Sequence, residues 1–428
     1  MNLPEKFITR MKNKDGFDID GFLNSYNTPA CTGLRINSSK QNSTELFQKE
    51  FNNFDKIPWC NEGYYIEKET ISGNHPYHIA GMFYFQEPSA MCAAELLPVD
   101  DGDFILDLCA APGGKSTQIA AKNNNITLIS NEIIPKRAKI LSENIERMGF
   151  SNVIVTNESP ERLENHFENF FDKIIIDAPC SGEGMFKKEA AAAIESWSVE
   201  HVLACSQRQK KIIDSAMKML KPGGSIVYST CTFAEEENEE NAQYIINKYP
   251  YMEIISTTRL YPHTSRGEGH FAVLICDKRE KTNSDSINNS LKKQAKEVEL
   301  FKEFESQYLN TNLNGEFILF GENLYLKPAG VDLDGIKVLR PGLHLGVCKK
   351  NRFEPSHALC KALKSSDFKN IINFTPQDDM LYKYLKGETI PGDVRGYCAV
   401  TCDFLPIGWC KGSDGILKNK FPKGLRIY

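Results

Sequence analysis

The stretch that most constrains this chain runs from Phe104 to Thr117. Phe104-Ile-Leu-Asp-Leu108 reads as a short buried strand, and Cys109-Ala-Ala-Pro-Gly-Gly-Lys-Ser-Thr117 follows as a turn that opens directly into a helix. The same alternation continues downstream. A helix over 116–122 leads to a strand at Thr127-Leu-Ile-Ser-Asn131, and a helix over 135–148 leads to Val153-Ile-Val155. Lys173-Ile-Ile-Ile-Asp177 is the next strand. A helix over 199–220 stops at Lys221-Pro-Gly-Gly224, and Ser225-Ile-Val-Tyr-Ser229 comes after it. Strands that are apolar throughout, separated by helices, mean a parallel sheet covered on both faces. The expected architecture is therefore α/β, a doubly wound Rossmann-like sheet.

The 428 residues exceed one domain of this type, and 41% apolar with 25% charged residues is a globular balance. No apolar run approaches the ~18–20 residues of a membrane-spanning helix. The first residues mix charges into an amphipathic helix over Pro4–Lys14 and lack a secretory leader, so a cytoplasmic protein without a membrane partner is expected. The 13 cysteines are odd in number, contain no C-x-x-C pair and suggest reduced thiols; no metal is expected, even around Cys398, Cys402 and Cys410. Charge is divided unevenly. Residues 336–428 carry 16 basic and 8 acidic side chains in a chain of net −5, which leaves −13 on the remainder. A basic module on an acidic body points to a polyanionic partner.

In an open parallel sheet the ligand crevice lies beyond the carboxyl ends of the strands. At the first strand, Gly113 and Gly114 let backbone approach a ligand, and the helix that follows offers free N–H groups. A nucleoside-triphosphate loop would need glycine where Cys109 stands. At the second strand, Glu132 is placed to accept hydrogen bonds from a cofactor's ribose hydroxyls. The fourth strand ends Asp177-Ala-Pro-Cys-Ser181 and the fifth Ser229-Thr-Cys-Thr232, which sets two cysteines on adjacent tips. The spacing Thr232-Phe-Ala-Glu235 predicts a capping box, with Cys231 just outside a helix N-terminus.

Taken with Phe85-Gln-Glu-Pro-Ser-Ala-Met91, these motifs resemble the Nop/Sun family of S-adenosylmethionine-dependent RNA (cytosine-5) methyltransferases over residues 80–276. The segments Lys337-Val-Leu-Arg-Pro-Gly-Leu-His-Leu-Gly346 and Asn351-Arg-Phe-Glu-Pro-Ser-His357 look like the ribosomal RNA small subunit methyltransferase F branch. The resemblance implies S-adenosyl-L-methionine as cofactor, held by Cys109, Ala110, Ala111, Pro112, Gly113, Gly114, Lys115, Glu132, Arg137 and Asp177. It implies Cys231 as covalent nucleophile, Asp177 on the target base, and Cys180 assisting product release. The residue that meets the adenine after the third strand, in Thr156-Asn-Glu-Ser-Pro160, stays open. RNA is the implied partner: small-subunit ribosomal RNA or the subunit itself, with transfer RNA as the alternative, addressed by a monomer.

The expected organisation is an N-terminal α+β segment over 1–80 and a seven-strand methyltransferase domain over 81–276. A polar linker over 277–297, a connecting segment over 298–335 and a PUA-like RNA-binding domain over 336–428 complete it. His270 reads as a turn residue leading into an apolar strand, Phe83-Tyr-Phe85 as core, and Glu235–Glu240 as the polar start of a helix.

Overall fold

The computed structural model describes residues 3–67, 70–188, 190–281 and 296–427. The central sheet is built from β1 (Phe104–Asp107), β2 (Thr127–Asn131), β3 (Val153–Thr156), β4 (Phe171–Asp177), β5 (Leu220–Thr230), β6 (Met252–Leu260), β7 (His270–Asp277) and β8 (Val338–Arg340). Their spatial order is β8-β3-β2-β1-β4-β5-β7-β6. Strands β1 to β5 are parallel to one another, while β7 lies antiparallel between β5 and β6. Seven strands thus come from 104–277, as the doubly wound reading requires. The chain leaves β1 first toward β2 and β3, then returns to its other side with β4, so the crevice opens above β1 and β4.

Alternation across the pleat explains why these strands are apolar throughout. Leu106, Ile129, Ile154, Ile174, Ile176 and Ile226 enter the core on one face. Ile105, Leu128, Val153, Val155, Ile175 and Val227 enter the core on the other. Helices α1 (Gly114–Lys122), α2 (Pro135–Met148), α3 (Val199–Met219) and α4 (Glu239–Lys248) cover the sheet. Each buried aliphatic side chain contributes about 1.5–3 kcal/mol over its exposed state.

The N-terminal segment forms a helix, Glu5–Lys12, and a three-stranded sheet of Thr32–Ile36, Gly63–Ile66 and Phe83–Phe85. Phe7 of the helix packs edge-on against Phe186 and Trp197, which ties the segment to the central domain. Phe83 and Tyr84 are buried, consistent with their reading as core.

The C-terminal half differs from a simple connector plus one module. Strands Glu316–Phe320, Asn323–Lys327, Leu343–Lys349 and Arg352–Pro355 form one four-stranded sheet, and five strands between Ile371 and Asn419 form another. Between them in sequence, β8 joins the central sheet by antiparallel pairing with β3. Residue 336 is therefore not a structural boundary, because the edge of the central sheet is completed from beyond it. Most of the expected linker, residues 282–295, lies outside the described residues. Two of the tail's cations are also structural: Arg340 is buried beside Glu146, and the fully buried Lys361 donates to the carbonyls of Ile79 and Pro406.

Candidate active site

The β1 side of the crevice is shaped by backbone. Gly113 sits at φ +112°, a conformation a side chain strongly resists, and it turns the chain from β1 into α1. The buried Arg35, reaching across from the N-terminal sheet, donates to Thr117 Oγ1 at 2.8 Å and to the Gly114 carbonyl at 3.2 Å. The N–H of Ala110 bonds the Asn131 carbonyl at 2.8 Å, and the Arg137 guanidinium donates to the Ala111 carbonyl at 2.8 Å. Asn144 holds the Pro112 carbonyl, and burial pushes the Cys109 thiol up. The loop Cys109–Lys115 is therefore fixed from three elements.

Asp107 closes β1 with no solvent exposure and accepts from Ser116 Oγ at 2.6 Å. Burial pushes its carboxyl up to about 7, and its Oδ1 has no hydrogen-bond partner among the described residues. Glu132, 3% exposed, accepts from the Ile134 N–H at 2.9 Å and faces Arg137 at 3.3 Å. Beside it, Ile133 and Ile134 are 56% and 47% exposed, an uncovered apolar lip next to a carboxylate. After β3, the Asn157 amide is spent on the carbonyls of Glu132 and Ile133. Glu158 pairs with Arg162 and accepts from the Lys337 N–H.

On the other side, Cys180 and Cys231 stand with their sulfurs 3.4 Å apart. The Cys231 sulfur, together with burial, pushes the Cys180 thiol well above its ordinary value, so Cys180 is protonated near neutral pH. Asp177 lies between the two halves. Burial opposes its ionisation, but Lys115 Nζ at 2.7 Å and the Ser229 hydroxyl at 2.9 Å hold its carboxyl below the usual carboxylate value.

Two buried glutamates fix the cysteine loops. Glu237 accepts from the Ser181 N–H at 3.0 Å, from the Ser181 hydroxyl and from Gln209 Nε2 at 2.8 Å. Glu183 accepts from Trp197 Nε1, Thr232 Oγ1 and the Phe233 N–H, all within 3.0 Å. The Gly184 N–H bonds the Cys231 carbonyl at 2.8 Å, and a Cβ at Gly184 would itself lie 2.8 Å from that oxygen.

Several residues depart from their sequence readings. Glu237 is not part of a solvated helix start, because its carboxylate is consumed by the loop of Ser181. Thr232 does not form the expected capping box: its hydroxyl is engaged by Glu183 and Ser181, a short 3-10 turn over Glu235–Glu237 intervenes, and α4 begins only at Glu239. Cys231 consequently lacks a helix N-terminus. His270 is not a peripheral turn residue either, since it is 2% exposed with Nε2 at 3.8 Å from Asp177. Nothing local in Gly267-Glu-Gly-His270 marks it; the signal lay in β7 pairing beside β5, which brings His270 to the tip that carries Cys231. Among the described residues, Cys60, Glu62 and Glu95 form one group of ligand-type atoms, yet Glu95 is already engaged by Gln118 and Lys122.

Comparison with known proteins identifies relatives along the whole chain. The family description 16S rRNA methyltransferase RsmB/F matches residues 94–281. The N-terminal domain of 16S rRNA methyltransferase RsmF matches 3–88, the RsmF first C-terminal domain 303–363, and the RsmF PUA domain 372–427. The chain is 30% identical to Ribosomal RNA small subunit methyltransferase F of Vibrio vulnificus, over 99% of this chain and 97% of that one. It is also 30% identical to the protein so named from Escherichia coli strain SE11, over 99% and 96%. A methyltransferase homolog protein of Pyrococcus horikoshii superposes with a TM-score of 0.57 at 26% identity, covering 64% of this chain and 95% of that one.

Proposed function

The chain belongs to the ribosomal RNA small subunit methyltransferase F family and is an S-adenosylmethionine-dependent RNA methyltransferase, and from that premise we propose that it methylates carbon 5 of a cytosine in small-subunit ribosomal RNA through a covalent cysteine–base adduct. The observation that carries this reading is the pair of thiols 3.4 Å apart beside an ionised Asp177.

Carbon 5 of cytosine becomes a carbon nucleophile only after a group has added to carbon 6. A thiolate suits that addition. Cys231 forms the bond to carbon 6, with the Cys180 S–H donating to the attacking sulfur, while Asp177 accepts a hydrogen bond from the base. S-adenosylmethionine, when bound, supplies an electrophilic methyl group on a sulfonium. The chain's residues fit that group: the turn from Cys109 to Lys115 for the amino acid portion, Glu132 and Arg137 at the ribose, and the uncovered Ile133 beside them for the adenine. The unpartnered Asp107 Oδ1 adds an acceptor toward a cationic ligand.

Release requires loss of the carbon-5 proton and cleavage of the carbon 6–sulfur bond. The pair is suited to that order. The Cys231 sulfur is the largest influence keeping Cys180 protonated, and once Cys231 is a neutral thioether that influence falls. Cys180 gives its proton to solvent and, as thiolate, takes the carbon-5 proton; the C–H electrons form the carbon 5–carbon 6 double bond as the carbon 6–sulfur bond breaks and returns Cys231 as thiolate.

The test uses the full chain, labelled S-adenosylmethionine and small-subunit ribosomal RNA. Cys180→Ala should accumulate a protein–RNA adduct that survives denaturing electrophoresis. Cys231→Ala should form none and lose methyl transfer by roughly three or more orders of magnitude. Adduct in Cys231→Ala but not in Cys180→Ala would reverse the two roles; adduct in neither, or methyl on a base nitrogen, would overturn the reading.

A further inference from the structure

His270 is the buried polar group that the mechanism above leaves idle. The two residues before it are fixed to one segment and His270 itself pairs with Leu260 of β6: the Glu268 N–H bonds Glu87 at 2.8 Å and the Gly269 N–H bonds Ser89 Oγ at 3.2 Å. The ring is therefore aimed by the Gln86-Glu-Pro-Ser89 segment as well as by β7. Neither ring nitrogen has a hydrogen-bond partner among the described residues, although the side chain is only 2% exposed. Burial, reinforced by the Lys115 ammonium and opposed by Asp177, pushes its imidazole down to about 3, so the ring is neutral and carries one donor. The facing atom is Asp177 Oδ1, 3.8 Å from Nε2, about 1 Å beyond a hydrogen bond.

An unsatisfied buried donor about one ångström beyond hydrogen-bond reach of a functional carboxylate is poor for stability, and residues that weaken the fold in this way concentrate where function uses them. Resting on the reading above, we propose that His270 is a positioning residue for Asp177: its Nε2–H closes on Oδ1 when the target base engages, and fixes the carboxylate as the acceptor for the cytosine exocyclic amine. Lys115 and Ser229 already hold Asp177 from the cofactor side and from β5. His270 supplies the third direction, from β7. A carboxylate so held favours cytosine, which presents an N–H donor at carbon 4, over uracil, which presents a carbonyl there.

His270→Phe fills the same space without a donor, and His270→Gln restores one at a similar reach. The expected result for His270→Phe is a melting temperature no lower than wild type and S-adenosylmethionine affinity within twofold, with kcat/KM toward RNA reduced about 10- to 100-fold, mainly in kcat. His270→Gln should recover to within about fivefold of wild type. In a Cys180→Ala background, His270→Phe should slow adduct formation by a similar factor. Should the phenyl ring prevent folding, His270→Leu takes its place. Wild-type kcat/KM in the donor-free variant, or equal loss in the Gln and Phe variants, would overturn the assignment while leaving the parent reading intact. Absence of any 5-methylcytosine from the wild-type reaction would overturn the parent reading and this one with it.

Discussion

The two lips of the crevice are held by opposite means. On the cofactor lip, cations and amides reach in to backbone carbonyls: Arg35 to Gly114, Arg137 to Ala111, Asn144 to Pro112 and Asn157 to Glu132 and Ile133. On the cysteine lip, two buried carboxylates, Glu183 and Glu237, gather N–H and O–H donors from the loops that carry the sulfurs. A carbonyl that loses one neutral donor can turn to solvent where the lip is open. A buried carboxylate that loses its donors has nowhere to go. The Cys109–Lys115 lip can thus give way without stranding a charge, while the cysteine lip holds its two sulfurs in register.

The sharpest way to break this contrast is to remove one carboxylate from each lip. Glu237→Leu leaves the Ser181 N–H and Gln209 Nε2 without their buried acceptor and should destabilise the protein by about 2–4 kcal/mol. Glu132→Gln keeps an acceptor for the Ile134 N–H and loses an ion pair with a half-exposed arginine, so its stability cost should stay near or below about 1 kcal/mol. Its effect should fall instead on S-adenosylmethionine affinity, by roughly tenfold. Urea unfolding and calorimetric titration on both variants decide the matter, and equal stability losses would erase the distinction.

Charge on the C-terminal half extends the contrast from the crevice to the partner surface. Lys361 and Arg340 are buried among carbonyls and a carboxylate, whereas Lys418, Lys420 and Lys423 are exposed. Only the exposed set is free to meet phosphates. Neutralising these three lysines should lower the slope of RNA affinity against salt by about 2 while S-adenosylmethionine affinity is unchanged. Lys361→Met should leave the slope unaltered. Deleting 336–428 is not a clean test, because it would strip β8 from the central sheet.

How far the sequence disclosed all this follows from the range over which each feature is determined. The strands at 104–107, 127–131 and 153–156 and the helix over 135–148 were legible because burial on both faces, Pro135 at its start and Gly149 at its end are local signals. Cys180 and Cys231 were legible because strand tips of a parallel sheet share one edge. Glu237 was not, since a run of glutamates looks like the polar start of a helix until Ser181 and Gln209 arrive from elsewhere in the chain. His270 depended on an antiparallel return strand whose register no local pattern reports. The edge strand Val338–Arg340 depended on pairing across more than 180 residues, with a register irregularity of its own.

A pH-dependent effect concerns Asp107, which probes the Cys109–Lys115 lip from beneath. In the folded chain its carboxyl is pushed up from the ordinary 3.8 to about 7, mainly by burial. Between those values the unfolded chain is ionised there while the folded chain keeps the proton. The folded state then binds more protons than the unfolded one, so rising pH favours unfolding across this window. The contribution changes by on the order of 1 kcal/mol per pH unit and levels off above about 7. Asp107→Asn cannot titrate but keeps an acceptor for the Ser116 hydroxyl. The stability of this variant relative to wild type should therefore rise between pH 5 and pH 7 and stay flat from pH 7.5 upward, as read by urea unfolding in matched buffers. A difference independent of pH would mean that Asp107 is ionised throughout, and the cofactor lip would then rest on a buried charge as the cysteine lip does.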